Sequence, residues 1–326
     1  MENAKIILMI GLPAAGKSTY VAKLKKLHKN SIIISRDVYG GTIQSLVPIV
    51  VEELEKGKVV IIDNTNITLE QRKLFIDVAK SMNIEIDGIY IRSNIEDCQI
   101  RELHRMYDKY QQIFMTGTLP NKEKDPHVFP PATLFSARKI LIEPEESEGF
   151  NSLITIDAPK IKWNARKYKN KAIFFDLDGT LRKTDDLPHK YPLQPSEVKL
   201  LHDAEMMKKV IKNYQKIGYK VFGVSNQSGI SKGVLTQEDV VACMDKTKEL
   251  LGVYFEISFC PHRPAPISCY CRKPQVGMIM TFIEEYLLNP KKCIMVGDMK
   301  VDETLASRMG IKYYDVNEFW KKYNVE

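Results

Sequence analysis

The segment spanning residues 5–18, KIILMIGLPAAGKS, constrains this chain more than any other. It is an unbroken apolar run, without alternation, that feeds a Gly-x4-Gly-Lys-Ser match and then a helix-forming stretch. A strand that reads this way is buried on both faces, so helices must cover the sheet from both sides. Glycines let backbone N–H groups turn inward, and the helix that follows adds the positive end of its dipole; together they cradle phosphate oxygens. Gly11, Gly16, Lys17, Ser18 and Thr19 are therefore candidate nucleotide-binding residues. Lys17 would reach the β- and γ-phosphates of ATP, and the Ser18 hydroxyl would ligate Mg²⁺. The opening residues also faintly resemble a secretory leader, but Lys17 directly after the apolar run favours a buried strand.

The same strand-and-helix rhythm occurs twice. Strands are expected at 5–10, 31–35, 59–63 and 84–91, with helices near 17–28, 47–57, 69–82 and 95–110. A last strand near 153–156 closes this half, and 116–150, rich in Pro, Gly and Glu, reads as irregular. A second series starts with strand 172–176 and helix 200–216, followed by strand 220–225, helix 236–251 and strand 256–259. A helix from Gly277 and a strand at 292–296 end it. The fold class is α/β, each half a parallel-type sheet flanked by helices. At 326 residues the chain has about twice the usual domain length. The expected layout is a first domain at 1–157, a basic linker at 158–170 and a second domain at 171–326.

Charge locates the linker. Residues 1–160 hold 21 basic and 21 acidic side chains, residues 161–171 hold five basic and none acidic, and residues 172–326 hold 22 and 20. The net +7 therefore comes mostly from one short segment, and no broad basic face is implied. No apolar run approaches the roughly 18 residues of a membrane span. Six cysteines are too few for a disulfide framework in a chain this long, and three are crowded together. That usage points to a reducing, cytoplasmic setting and a metal.

Ligands of open α/β sheets bind at the carboxyl ends of strands. In the first half those ends read Ser35-Arg36-Asp37 and Asp63-Asn64-Thr65-Asn66. Asp37 and Asp63 should face the crevice of the phosphate loop, where a carboxylate can accept the proton of an attacking hydroxyl. Each could equally be a helix cap. Arg36 and Asn64 beside them are candidate substrate contacts. Arg101 and Arg105 share one face of a helix, where they could fold over a transferring phosphate or simply be solvated. Taken together, the phosphate loop, "SRD", "DNTN" and RxxxR resemble the kinase domain of polynucleotide kinase-phosphatases over roughly 1–157. The resemblance implies that Asp37 is the general base for a 5′-hydroxyl, that Asp63 lies at the acceptor site and that Arg101 and Arg105 form a lid. The phage member of that family has an arginine three residues after the base; Gly40 stands there in this chain, so that contact does not carry over.

The second half opens with Phe-Phe-Asp176-Leu-Asp178-Gly-Thr-Leu. Two carboxylates two residues apart across a tight turn can divide labour, one attacking phosphorus and the other protonating the leaving oxygen. Ser225 and Asn226 at the next strand end supply a hydroxyl and an amide for phosphate oxygens. Arg272-Lys273 supplies cations, and Asp298, with Asp302 as a further candidate, joins Asp176 and Asp178 as Mg²⁺ ligands. DxDGT, Ser-Asn, Lys and GDxxxD in this order resemble the haloacid dehalogenase superfamily over about 171–315. Asp178 and Ser225 are 47 residues apart, too close for a large cap domain, so the site should be open.

Cys260-Pro-His262 and Cys269-Tyr-Cys271 offer three thiolates and one imidazole. That is a full tetrahedral Zn²⁺ set with no open position for a catalytic water, so the site would be structural. Cys98, Cys243 and Cys293 fall inside regular elements and read as small apolar residues. "NQSGI" at 226–230 and the Cys/His loop resemble the zinc-bearing heptose-bisphosphate and histidinol-phosphate phosphatases.

The first half thus points to nucleic-acid ends, DNA or RNA, while the second points partly to small metabolites. A kinase and a phosphatase acting on one phosphate would waste ATP, whereas acting on a 5′-hydroxyl and a 3′-phosphate they cooperate. The leading expectation is a polynucleotide 5′-kinase and 3′-phosphatase. The alternatives are a kinase fused to a phosphatase for a sugar phosphate or similar metabolite, and a sensor that binds without turnover. Any grip on a polymer should come from local arginines and from Arg166, Lys167, Lys169 and Lys171. The sequence identifies no protein partner.

Overall fold

A computed structural model describes residues 4–120 and 125–323. The chain forms two units, Met1–Glu102 with Lys124–Ile161, and Leu103–Glu123 with Lys162–Glu326. The division falls inside one helix, α5 (Ile95–Tyr110).

The first unit is built on β1 (Lys5–Ile10), β2 (Ser31–Ile34), β3 (Val59–Ile62), β4 (Glu85–Arg92) and β5 (Ser152–Asp157), all parallel, in the order β2-β3-β1-β4-β5. Alternate residues of β1 enter opposite cores. Ile6, Leu8 and Ile10 pack with α3 (Val47–Glu55) and α4 (Leu69–Met82), while Ile7 and Met9 pack with α1 (Lys17–Leu27) and the start of α5. Both faces are dry, which is why the strand tolerates no polar alternation; each such side chain contributes about 1.5–3 kcal/mol on burial. Helix α4 begins at Thr68, which forms a reciprocal capping box with Gln71.

The second unit repeats the logic with β6 (Lys171–Phe175), β7 (Tyr219–Asn226), β8 (Glu256–Cys260), β9 (Ile294–Gly297) and β10 (Lys312–Asp315), in the order β10-β9-β6-β7-β8, all parallel. Ile173 and Phe175 enter a core with Trp320 and Phe319, while Phe174 stacks on Phe222 from the opposite face. Helices α7 (Ala204–Lys216), α8 (Gln237–Leu251), α9 (Gly277–Tyr286), α10 (Lys300–Met309) and α11 (Val316–Lys321) complete it. Between β6 and β7 the described chain makes one 3-10 turn and α7, with no room in that connection for a cap domain.

Three departures from expectation appear. The stretch 116–150 is not irregular throughout, because α6 (Pro131–Ile140) lies within it; positions 121–124 are outside the described residues. Pro131 takes the first-turn position that has no need of an N–H, and Leu134 and Ala137 reach the core. The last 30 residues hold α10, β10 and α11, which the periodicity did not resolve. The basic segment is not a free tether: Tyr168 is buried, its ring edge-on to Trp163.

Candidate active sites

In the first unit, register sets three strand ends side by side. Leu8 of β1 pairs with Ile62 of β3, and Ile62 with Ile34 of β2, so the phosphate loop, Asp63 and Asp37 follow adjacent strands. Gly11 has φ +145°, and a Cβ there would come within 2.6 Å of the Ile91 carbonyl oxygen. Its N–H donates to the Thr65 carbonyl at 2.9 Å. Gly16, at φ +106°, starts α1 without any side-chain cap, which leaves the first N–H groups of the helix available to an anion. Lys17 is buried and folds back on the loop, donating to the carbonyls of Gly11 (3.0 Å) and Leu12 (2.8 Å). Ser18 and Thr19 are exposed at the helix start.

Burial pushes the Asp63 carboxyl up, and a hydrogen bond from Ser18 and the charge of Lys17 oppose it. Asp37 adds repulsion, and His127 attraction, to the same carboxyl. Asp63 thus shares the field of the phosphate loop with Asp37 and with a histidine that the sequence analysis missed. Asp37 lies exposed on the one-turn helix α2 (Arg36–Tyr39), which ends in Gly40 and Gly41. Asn64 Oδ1 accepts from the Arg36 N–H at 3.0 Å and locks two strand ends together; Arg36 Nε donates to the Gly41 carbonyl at 3.1 Å. Asn66, wholly buried at φ +46°, reaches back to the Met9 carbonyl at 2.7 Å. Arg101 donates to Ser93 Oγ (2.9 Å) and to the Pro159 carbonyl (2.6 Å), so its guanidinium is a tie within the first unit. Arg105 follows on α5 in the second unit.

In the second unit Asp176 follows β6, Ser225 and Asn226 end β7, and Asp298 follows β9; these strands are neighbours. Lys273 Nζ, wholly buried, donates to Asp176 and to the Val224 carbonyl (2.9 Å) and pairs with Asp302 Oδ1 (2.7 Å). Burial opposes its charge, but Asp176 and Asp302 outweigh that and hold the ammonium above its usual range. Asn226 fixes the lysine, accepting from the Lys273 N–H (2.9 Å) and donating to its carbonyl (3.1 Å). Arg272 donates to the His262 carbonyl at 3.0 Å.

Carboxylate oxygens of Asp176, Asp298 and Asp302 lie within 4.8 Å of one another. Burial, then repulsion from Asp176 and Asp302, pushes Asp298 up to about 6; burial pushes Asp302 to about 6 against Lys273. Hard oxygen donors crowded until they resist ionising are a fit for a divalent cation. The Asp178 side chain lies outside this group, beside Arg182 and Gln227, whereas Asp302, the further candidate, lies within it. Burial pushes the Asp178 carboxyl up, with Arg182 opposing. Ser225 Oγ accepts from Gln227 Nε2 at 2.8 Å. Arg182 gave no signal beyond its spacing of four from Asp178, and Gln227 was visible only as part of NQSGI.

Cys260, His262, Cys269 and Cys271 bring their four ligand atoms within 4.8 Å of one another. Cys260 Sγ is 3.5 Å from His262 Nδ1 and 3.7 Å from Cys269 Sγ, and His262 Nδ1 is 3.2 Å from Cys271 Sγ. Hydrogen bonds with Cys260 and Cys269 push the Cys271 thiol up. All six cysteines are free of disulfides. In the basic segment, Lys167 Nζ lies 3.6 Å from Glu284 and 3.8 Å from Asp108, and Lys171 lies over the Tyr219 ring. Among the described residues no helix is long and apolar enough to cross a membrane.

Known families match the two halves of the sequence separately. The family model for polynucleotide kinase 3 phosphatase matches residues 171–320, and an AAA-domain model matches residues 6–117. A D-glycero-D-manno-heptose-1,7-bisphosphate 7-phosphatase of Thermoplasma volcanium is 34% identical over 148 residues, 44% of this chain and 96% of its own. The histidine biosynthesis bifunctional protein HisB of Legionella pneumophila is 27% identical over 152 residues, 45% of this chain and 42% of its own. The solved Pnkp1/Rnl/Hen1 RNA repair complex aligns over 97% of this chain and 96% of its own, at 15% identity and TM-score 0.31.

Proposed function

We propose that this chain, which belongs to the polynucleotide kinase 3 phosphatase family through residues 171–320 and carries a P-loop kinase unit ahead of them, prepares nucleic-acid ends for joining. The first unit transfers the γ-phosphate of ATP to a 5′-hydroxyl, and the second removes a 3′-phosphate. The observation that carries this reading is the presence of two phosphoryl-transfer sites of opposite sense in one chain. Turned on a single phosphate they would only hydrolyse ATP; turned on opposite sides of a break they make a ligatable pair. The lack of room for a cap domain between β6 and β7 suits a polymer terminus.

In the first unit the phosphate loop and Lys17 hold the triphosphate, and Ser18, bonded to Asp63, is placed to hold Mg²⁺. Asp37 takes the proton of the attacking 5′-hydroxyl. In the second, an Asp176 oxygen attacks phosphorus and the ester bond to the 3′-oxygen breaks, that oxygen taking a proton from Asp178. Water then attacks the aspartyl-phosphate, gives its proton to Asp178 and releases inorganic phosphate with Asp176 restored. Ser225 and Lys273 hold the phosphate oxygens and the nucleophile. Mg²⁺ bound by Asp176, Asp298 and Asp302 supplies neutralisation of the phosphate charge. Zn²⁺ held by Cys260, His262, Cys269 and Cys271 fixes the loop that leads into Lys273. The absence of disulfides fits a reducing, cytoplasmic location.

The test is turnover of labelled ATP with 5′-hydroxyl DNA and RNA, and of 3′-phosphate oligonucleotides. Asp37→Ala should abolish only phosphorylation and Asp176→Asn only dephosphorylation. No wild-type turnover of either substrate sinks the proposal. A second reading, a sugar-phosphate phosphatase fused to the kinase, is favoured by the 34% identity to the heptose-bisphosphate phosphatase. It would be selected if sugar bisphosphates outcompete oligonucleotides in the phosphatase assay.

A further inference from the structure

The carboxylate of Asp178 is held unlike the other three at its site. Its Oδ1 lies 2.8 Å from Nη2 of Arg182, and its Oδ2 accepts from Nε2 of Gln227 at 2.8 Å. Arg182 is 2% exposed and Gln227 4% exposed. The spacing of four is not helical. Gly179 turns at φ +85°, its N–H bonds the Arg182 carbonyl at 2.9 Å, and the Arg182 N–H bonds the Leu177 carbonyl at 2.8 Å. This closed turn folds Arg182 back beside Asp178, and a bridge from Arg182 to Leu200 fixes it there. A guanidinium that has lost its water persists only against a paired charge, and among the described residues its ion-pair partner is Asp178. Gln227 Nε2 also lies 2.8 Å from Ser225 Oγ, so one amide joins the acid to a hydroxyl at the phosphate-binding strand end.

We infer that Arg182 is a positioning residue for protonation of the leaving group, acting through Asp178 and together with Gln227. The inference rests on the phosphatase reading but not on the identity of the substrate. In the first half-reaction the phosphorus–oxygen ester bond breaks, the leaving oxygen takes the Asp178 proton, and the electron pair of that O–H bond stays on the carboxylate. In the second, water gives that proton back as its oxygen bonds phosphorus. Arg182 touches no reacting atom. The ion pair at Oδ1 and the Gln227 hydrogen bond at Oδ2 fix the plane of the carboxyl and leave lone pairs for the transferred proton. With its side chain turned to Arg182 and Gln227, Asp178 stands outside the carboxylate group formed by Asp176, Asp298 and Asp302. Gln227 sets the distance from the acid to the phosphate.

The experiment compares two esters on the full-length protein. One is 4-nitrophenyl phosphate, whose phenolate leaves without a proton. The other is an alkyl phosphate that the wild type hydrolyses, a 3′-phosphate oligonucleotide or a sugar phosphate. Because kcat/KM reports only the steps through departure of the leaving group, kcat/KM of Arg182→Met on the alkyl ester should fall about 100-fold and kcat/KM on the aryl ester far less. Asp178→Asn should show the same selectivity. Arg182→Lys should restore much of the alkyl rate, and Gln227→Leu should repeat the selective loss in a variant that keeps the buried ion pair. Equal losses on both esters in Arg182→Met and Gln227→Leu, with a lowered melting temperature, would mean a merely structural arginine and overturn the inference while the phosphatase reading stands. A wild type that hydrolyses neither ester would overturn both.

Discussion

Lys273 Nζ lies 2.7 Å from Asp302 Oδ1 and donates at the same time to Asp176, so one buried ammonium is shared by the proposed nucleophile and a carboxylate of the cation-binding group. Without it, two buried carboxylates would face each other and Asp298 with no fixed positive charge.

Lys273→Met should therefore cost both activity and stability. Removing one partner of a buried ion pair typically costs about 3–5 kcal/mol, and losing a preorganised cation at the phosphate costs about 10²–10³ in rate. We expect phosphatase turnover to fall by at least the lower of those factors and the melting transition of the second unit to drop. Phosphorylation by the first unit should persist. Loss of both activities together would show that Lys273 matters to the whole chain and not to this site.

The Cys/His cluster should behave as one cooperative ligand set. Purified protein should contain about one Zn²⁺ per chain, and Cys269→Ser or Cys271→Ser should lose it. Loss of the metal should lower the melting temperature of the second unit and its phosphatase rate, because the loop closed by Cys271 runs straight into Arg272 and Lys273. Protein that carries no zinc, or serine variants that melt and turn over as wild type, would contradict the assignment.

Much of the candidate sites was legible in the sequence because the candidate residues stand where the strands end. A parallel strand buried on both faces announces itself as a continuous apolar run, and the polar residues that follow it must lie at one edge of the sheet. That logic puts Lys17, Asp37, Asp63, Asp176, Ser225 and Asp298 at or just beyond strand ends, where the structure has them. It failed where a side chain acts across a turn or from outside the strand series. Arg182 looks like an ordinary charged residue until the turn at Gly179 brings it beside Asp178. His127 reaches the field of Asp63 from an irregular segment with no period to read. Helix α6 was missed because the prolines and acidic residues around it dominate the local composition, although Pro131 is itself a helix-start signal.

Gly179 offers a sharper test of the turn. Its φ of +85° is unfavourable for any other residue, and a Cβ would overlap the Asp298 carboxylate. Gly179→Ala should displace Asp298 from the three-carboxylate group and weaken binding of the cation. The expected result is a raised Mg²⁺ requirement for dephosphorylation, read from initial rates against Mg²⁺ concentration, with ATP-dependent phosphorylation unchanged. An unaltered Mg²⁺ curve would separate Asp298 from the metal.

The last prediction concerns pH. His104 Nδ1 is 2.7 Å from Glu284 Oε1, whose side chain is fully buried and also accepts from the Tyr168 hydroxyl at 2.8 and 3.0 Å. Asp108 and Lys167 face the same group, at 3.3 Å from His104 and 3.6 Å from Glu284. The bond to Glu284 holds the His104 imidazole above its ordinary 6.5, outweighing burial. Burial alone would raise Glu284, but the bonds from His104 and Tyr168 bring it below its ordinary 4.5. A raised imidazole stabilises fully below 6.5 and loses its contribution as pH climbs through the folded value. A lowered carboxyl stabilises fully above 4.5 and loses its contribution as pH falls through the folded value. The two overlap between 4.5 and 6.5. Both tryptophans, Trp163 and Trp320, belong to the second unit, so intrinsic fluorescence follows its unfolding alone. The melting difference between wild type and His104→Gln should be largest in that window and shrink on both sides. A difference that stays constant from pH 4 to pH 9 would mean that the pair contributes packing and no charge.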